Sequence, residues 1–151
     1  MPLPWSGYSS LAIRTDFQHD TEWQQIQAAI VEPRTEHGFM PRVAFIDDPR
    51  YEELTVPQLL DLLPDDAHAK VAFLVDEHAL TAPNRPILVV NLFDYDKDTP
   101  GKRKGPKFGH TFRVTPAHMW SVDNNLSLSN MDWHEFADRV DGDGVFQGFG
   151  D

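Results

Sequence analysis

Val71-Ala-Phe-Leu-Val75 is apolar on both faces, and a strand of that kind belongs in the middle of a sheet covered above and below. Working outward, Arg42-Val-Ala-Phe-Ile-Asp47 and Leu11-Ala-Ile-Arg14 read as two further strands, the first ending at Asp48-Pro49 and the second breaking at Thr15-Asp16. Between them, Asp20 is placed to cap a helix over 21–31 that carries Trp23, Ile26 and Ile30 on one face. Thr55 caps a second helix, with Val56, Leu59, Leu60 and Leu63 apolar and Pro64 as its stop. The alternation strand–helix–strand–helix–strand predicts a mainly parallel sheet with flanking helices.

A turn of helix at 77–80 follows. Residues 86–93 and 108–114 read as two strands joined by a long loop, an antiparallel hairpin added to the parallel core. Pro116 opens a short helix reaching Trp120. Leu126-Ser-Leu-Ser129 alternates as a short extended segment with one wet face, and Asn130 caps a last helix over 131–140 before a glycine-spaced tail. The expectation is one compact α/β domain, mixed with α+β, over residues 1–151, with an N-terminal arm at 1–10 and a basic loop at 94–107.

Ten Phe, four Trp and three Tyr can offset the entropy of ordering, so the chain is not of the disordered class. The net charge of −11 disfavours the generic phosphate-neutralising surface of nucleic-acid binders. Against that balance, Lys97, Lys102, Arg103, Lys104 and Lys107 crowd into one loop, which reads as a solvated insert on an acidic body. With no cysteine, disulfides, thiolate catalysis and zinc–thiolate sites are excluded. Residues 1–8 lack the cationic start and apolar run of a signal peptide, and no stretch approaches the length of a membrane span, so a cytoplasmic protein is expected.

Several motifs carry a resemblance. They are Ile13-Arg-Thr-Asp-Phe17, Phe45-Ile-Asp-Asp-Pro49 with Tyr51, and Phe73-Leu-Val-Asp-Glu77 with Val89-Val90. Phe112-Arg-Val114 with Pro116, Trp120-Ser-Val, Asn124-Asn-Leu-Ser-Leu, Asn130-Met-Asp and Asp143-Gly-Val-Phe complete the set. Together they resemble a family of small proteins, domain of unknown function 6924, over nearly the whole chain. That family implies no reaction and hands over no catalytic residue. The chain is also faintly similar to small natural-product cyclases such as the norbornene-forming Diels–Alderase of sordarin-type biosynthesis, a likeness with no motif of its own.

Asp16, Asp47, Asp48, Asp76 and Glu77 follow predicted strands, and ligands of open α/β sheets bind outside such strand ends. Carboxylates gathered there suit Mg²⁺, but Asp after a strand is also a common turn and cap residue. Neither GxGxxG nor a P-loop accompanies them, no His pair has zinc spacing, and no serine sits in a GxSxG elbow. No metal and no cofactor are therefore expected. His118 lies two residues before Trp120, and an imidazole beside an indole suits polarising a carbonyl. His118 is the candidate catalytic donor; Trp120 and His110, with Trp5 and Tyr8 of the arm, are candidate substrate-binding residues.

Two readings compete. In the first the protein is a cofactor-independent small-molecule cyclase or isomerase, of the pericyclase or Diels–Alderase type, folding an apolar biosynthetic intermediate into a reactive conformation. In the second it is a non-enzymatic acidic binding or immunity-type protein that covers a basic partner. An enclosed apolar pocket favours the first, and a flat acidic face with exposed aromatics the second. Neither reading involves nucleic acid or a membrane span.

Overall fold

A computed structural model of the chain describes residues 9–32, 38, 40–63, 69–93 and 108–149. The Trp5/Tyr8 arm, Phe39, Pro64 and the basic loop lie outside the described residues. The strands are β1 Ser10–Arg14, β2 Val43–Ile46, β3 Val71–Val75, β4 Ile87–Asn91, β5 Thr111–Val114 and β6 Val145–Phe146. They form one sheet in the order β2-β1-β3-β4-β5-β6. β1 is parallel to both β2 and β3, β3–β4 and β4–β5 are antiparallel, and β6 is parallel to β5. The three parallel strands and the appended hairpin match the expectation. β3 is buried along its whole length, as its two-faced apolarity required.

Helices α1 Asp20–Val31, α2 Val56–Asp61, α3 Glu77–Thr81, α4 Met119–Ser127 and α5 Trp133–Ala137 cover the sheet unequally. On one face, Ala12, Phe73, Val75, Val89 and Phe112 pack against Trp23, Ile26 and Ile30 of α1 and against residues of α3, α4 and α5. On the other, Leu11, Ile13, Leu74 and Val90 meet Leu59 of α2 and Tyr51 of a 3-10 turn at Pro49–Tyr51. A capping box between Thr55 and Gln58 starts α2.

Three expectations need correction. Residues 126–129 are not extended: a 3-10 turn at Pro116–His118 runs straight into α4, and Leu128 and Ser129 close it with N–H bonds to the carbonyls of Asn124 and Leu126. Asn130 does not cap the last helix. Its N–H and that of Met131 are spent on the carbonyl of Asn125, so α5 starts later, after Asp132, whose N–H donates to Glu135 Oε2 (2.7 Å). Asp20 is the first residue of α1 rather than a cap, because its carboxylate accepts from Arg14. The glycine-spaced tail adds β6, a two-residue strand positioned by Asp141, which accepts from the N–H groups of Asp143 (2.8 Å) and Val145 (3.1 Å).

At the amino ends of β1 and β2, Asp123 of α4 is 1% exposed and accepts from Ser10 Oγ (2.5 Å), the N–H of Arg42 (2.8 Å) and Ser127 Oγ (3.4 Å). Burial raises its pKa, and those hydrogen bonds only partly offset the effect. Asp123→Ala strands a buried hydroxyl and a backbone N–H, and chemical denaturation should register a loss of about 2–4 kcal/mol. A raised folded pKa means that the linked stability is present at acid pH and lost as pH rises through that value. The cost of Asp123→Asn should therefore be larger in acid than at neutral pH.

Candidate functional site

Several of the motifs behind the family resemblance, Ile13–Phe17, Phe45–Pro49 with Tyr51 and Phe73–Glu77, run to one region, the carboxyl ends of β1, β2 and β3. Pairing of these strands continues past β1, with the N–H of Thr15 donating to the carbonyl of Val75 (3.0 Å). The carbonyl of Thr15 accepts from the N–H of Glu53 (2.8 Å), which hangs the segment after the 3-10 turn on the end of β1. Asp48 begins that turn by accepting from the N–H of Arg50 (3.0 Å), and Tyr51 anchors it in the core. Glu53 has φ +59°, a left-handed conformation that costs a non-glycine residue on the order of 1 kcal/mol. The result is a half-open cleft of about 330 Å³. Thr15, Phe17 and Leu54 line it, together with the acids Asp16, Glu52, Glu53, Asp76 and Glu77.

Two arginines stand behind these acids. Arg14, on the α1 face of β1, is 4% exposed. Its Nε donates to the carbonyl of Asp16 (2.8 Å), Nη1 to Asp47 Oδ1 (3.3 Å) and Nη2 to the carboxylate of Asp20. Its guanidinium also lies over the ring of Phe17 (4.5 Å). Asp47 accepts a further bond from Trp23 Nε1 (3.2 Å), so the end of β2, the start of α1 and the end of β1 share one charge cluster. Asp16 itself accepts from the N–H of Gln18 (2.8 Å) and from His19 Nδ1 (2.5 Å).

Arg113 does the same for β3. From β5 it reaches across Leu88 of β4, its register partner, and donates in a bidentate fashion to Asp76, Nη1 to Oδ1 (3.0 Å) and Nη2 to Oδ2 (2.7 Å). Nη1 also donates to the carbonyl of Pro86 (2.8 Å). Asp76 caps α3 by accepting from the N–H of Ala79 (3.0 Å). Burial works to raise the Asp76 pKa, but the Arg113 hydrogen bond, the Ala79 N–H and the Arg113 charge outweigh it and hold the carboxyl below its ordinary value. Glu52, Glu53 and Glu77 are different: all three are exposed and, among the described residues, have no cationic partner.

Residues 9–149 match the model of DUF6924, a domain of unknown function. The chain belongs to this family. No curated protein matches it at a significant level, and the faint likeness to natural-product cyclases gains no support. In the DUF6924 fold seen here, three of the candidate residues named above, His118, Trp120 and His110, are among the described residues, and they fall at two places. His118 and Trp120 sit together on the 3-10 turn and α4, both half-buried. The His118 ring stands edge-on to Phe146 (6.1 Å), under the tail at Gly148. Gly148, at φ +101°, allows this crossing, because a Cβ there would lie 2.8 Å from His118 Cε1. His110 is at the other end of β5, exposed and stacked on Trp133 (6.2 Å). Trp5 and Tyr8 lie outside the described residues. The strand-end acids Asp16, Asp76 and Glu77 do converge; among the described residues no group of three or more His or acidic side chains has metal-holding geometry.

Replacing Arg113 with Met leaves Asp76 half-buried without its counter-charge. The Asp76 carboxyl should then titrate at higher pH, read by its ¹³C shift, with a loss of about 1–3 kcal/mol in unfolding free energy. In the native protein the Asp76 pKa is depressed. Its contribution is present above the unfolded pKa and lost as pH falls through the folded one. Arg113→Met should therefore cost most at neutral pH and less in acid.

Proposed function

We infer that this protein is a non-enzymatic acidic binding module, of the inhibitor or immunity kind. It covers a basic partner protein by taking lysine or arginine side chains into the strand-end cleft. The observation that carries the reading is the trio Glu52, Glu53 and Glu77: carboxylates on one cleft, without cationic partners among the described residues, on a chain of net charge −11. Like charges held close together repel, and an arriving cation relieves that repulsion at the moment it docks. Phe17 and Leu54 supply an apolar wall for the methylene stem of a basic side chain. The wider negative field steers a basic protein toward the cleft and speeds association.

A cyclase calls for an enclosed apolar chamber, with His118 as the donor and Trp5, Tyr8, His110 and Trp120 around the substrate. The strand-end cleft is half-open and acid-rimmed, and this favours the binding reading.

The test is calorimetry with a lysine-rich peptide. The native protein should bind it with an affinity that falls steeply as salt is raised. The combined variant Glu52→Gln, Glu53→Gln, Glu77→Gln should bind about tenfold or more weakly, a difference of ~1.4 kcal/mol or above. Its melting temperature should stay close to that of the native protein, because exposed glutamates without partners contribute little to stability. Equal binding by the variant, or affinity indifferent to salt, contradicts the reading.

A further inference from the structure

The two edges of the sheet are finished differently. At one edge β6 is only two residues long, with Gly144 just before it and Gly148 just after. At the other stands β2, Val43-Ala-Phe-Ile46, which contains no charge, proline or glycine. Edge strands usually carry such devices, because a row of unpaired N–H and C=O groups invites another strand. The register with β1 fixes which groups are unpaired. Ser10 pairs with Val43, and the Ser10 N–H donates to the Arg42 carbonyl (3.0 Å). A parallel ladder uses every second residue of a strand, so Ala44 and Ile46 turn their N–H groups toward β1. The N–H and C=O of Val43 and of Phe45 face outward, and among the described residues nothing pairs with them. Their side chains pack on the α1 face, Phe45 edge-on to Trp23 (5.9 Å), which holds this backbone extended. The two ends of the strand carry opposite charge. Arg42 is exposed and makes no ion pair among the described residues, while Asp47 and Asp48 close the other end.

We propose that the outer edge of β2 is a homodimer interface, at which the β2 strands of two copies pair antiparallel about a two-fold axis at Ala44. In this register Val43 lies opposite Phe45 of the second copy, and Phe45 opposite its Val43. Each such pair exchanges two backbone hydrogen bonds, so every outward N–H and C=O of the two residues is satisfied. Arg42 then shares a face with Asp48 of the second copy, a diagonal neighbour roughly 7–8 Å away that a long side chain spans. Asp48 accepts from Arg50, and a carboxylate has lone pairs left for a second guanidinium. Two-fold symmetry makes this contact twice. Opposite charges at the two ends fit a reversed copy of the same strand, which favours a second copy over a foreign strand. The net charge of −11 on each copy opposes association and keeps the dimer weak. No residue of β2 lines the strand-end cleft, so the interface is independent of what that cleft binds.

Sedimentation of the native protein should show a monomer–dimer equilibrium with a Kd on the order of 100 µM. Hydrogen exchange read by NMR should find the amides of Val43 and Phe45 more protected at about 1 mM protein than at about 50 µM. Those of Ala44 and Ile46, bonded to β1, should not change. Ala44→Cys places one thiol on the axis of a chain that has no cysteine. Residues directly opposite in a non-hydrogen-bonded antiparallel pair lie roughly 4.5 Å apart at Cα, within disulfide reach. This variant should oxidise to a covalent dimer about tenfold faster than Asp61→Cys, exposed on α2, because pairing raises the effective thiol concentration. Arg42→Gln should weaken the dimer about fivefold, since each interface loses the ion pair twice. The proposal is overturned if the protein stays monomeric up to about 1 mM. Association without added protection at Val43 and Phe45 also overturns it. So does oxidation of Ala44→Cys no faster than of Asp61→Cys, or an unchanged Kd in Arg42→Gln.

Discussion

Carboxylates cannot crowd the ends of neighbouring strands unless positive charge stands behind them, and in this protein two arginines supply it. Arg14 is buried at the end of β1, where an unpaired guanidinium would be far too costly to keep. It binds the loop to α1 through the Asp16 carbonyl and Asp20, and the end of β2 through Asp47. Arg113 ties the end of β3 to the start of β4 from its place on β5. Each arginine thus makes a contact that the sheet's own backbone pairing does not make. The first fastens the parallel half to its crossover helix, and the second fastens that half to the antiparallel half. Pairs of this kind specify geometry more than they add stability, because desolvation offsets much of their attraction.

That division of labour sorts the acids of the site. Asp16, Asp20, Asp47 and Asp76 are committed to the scaffold, each accepting from an arginine, a histidine or a backbone N–H. Glu52, Glu53 and Glu77 have no cationic partner among the described residues. The left-handed backbone at Glu53 belongs to the same pattern: the chain carries a strained residue so that its N–H can close on Thr15 while two adjacent glutamates remain at the cleft. The scaffold uses charge to build the cleft, and in the proposed function it is the remaining glutamates that meet a basic partner.

The parallel core was legible because its signals are local. Val71–Val75 has no polar residue, and Thr55 and Gln58 sit at capping-box spacing. The strand-end position of Asp16, Asp76 and Glu77 followed from the same reading. The arginines did not follow. Nothing in Arg14 or Arg113 as letters says that one is buried beneath Phe17 or that the other crosses a whole strand to reach Asp76; such contacts arise only when strands distant in sequence are set side by side. Glu52 and Glu53 were missed because they follow a 3-10 turn whose place is set by Thr15, far away in sequence. The segment around Leu126–Ser129 misled because alternation over four residues fits the exposed end of a helix as well as a strand. His110 and His118 flank β5, and that strand holds them apart.

The most direct test of the central claim is a map of where a basic ligand lands. Backbone amide shifts recorded during titration with a lysine-rich peptide should change at 15–18, 52–54 and 76–77, the three segments that line the cleft. Perturbation confined to other surfaces, with those segments silent, would contradict the account.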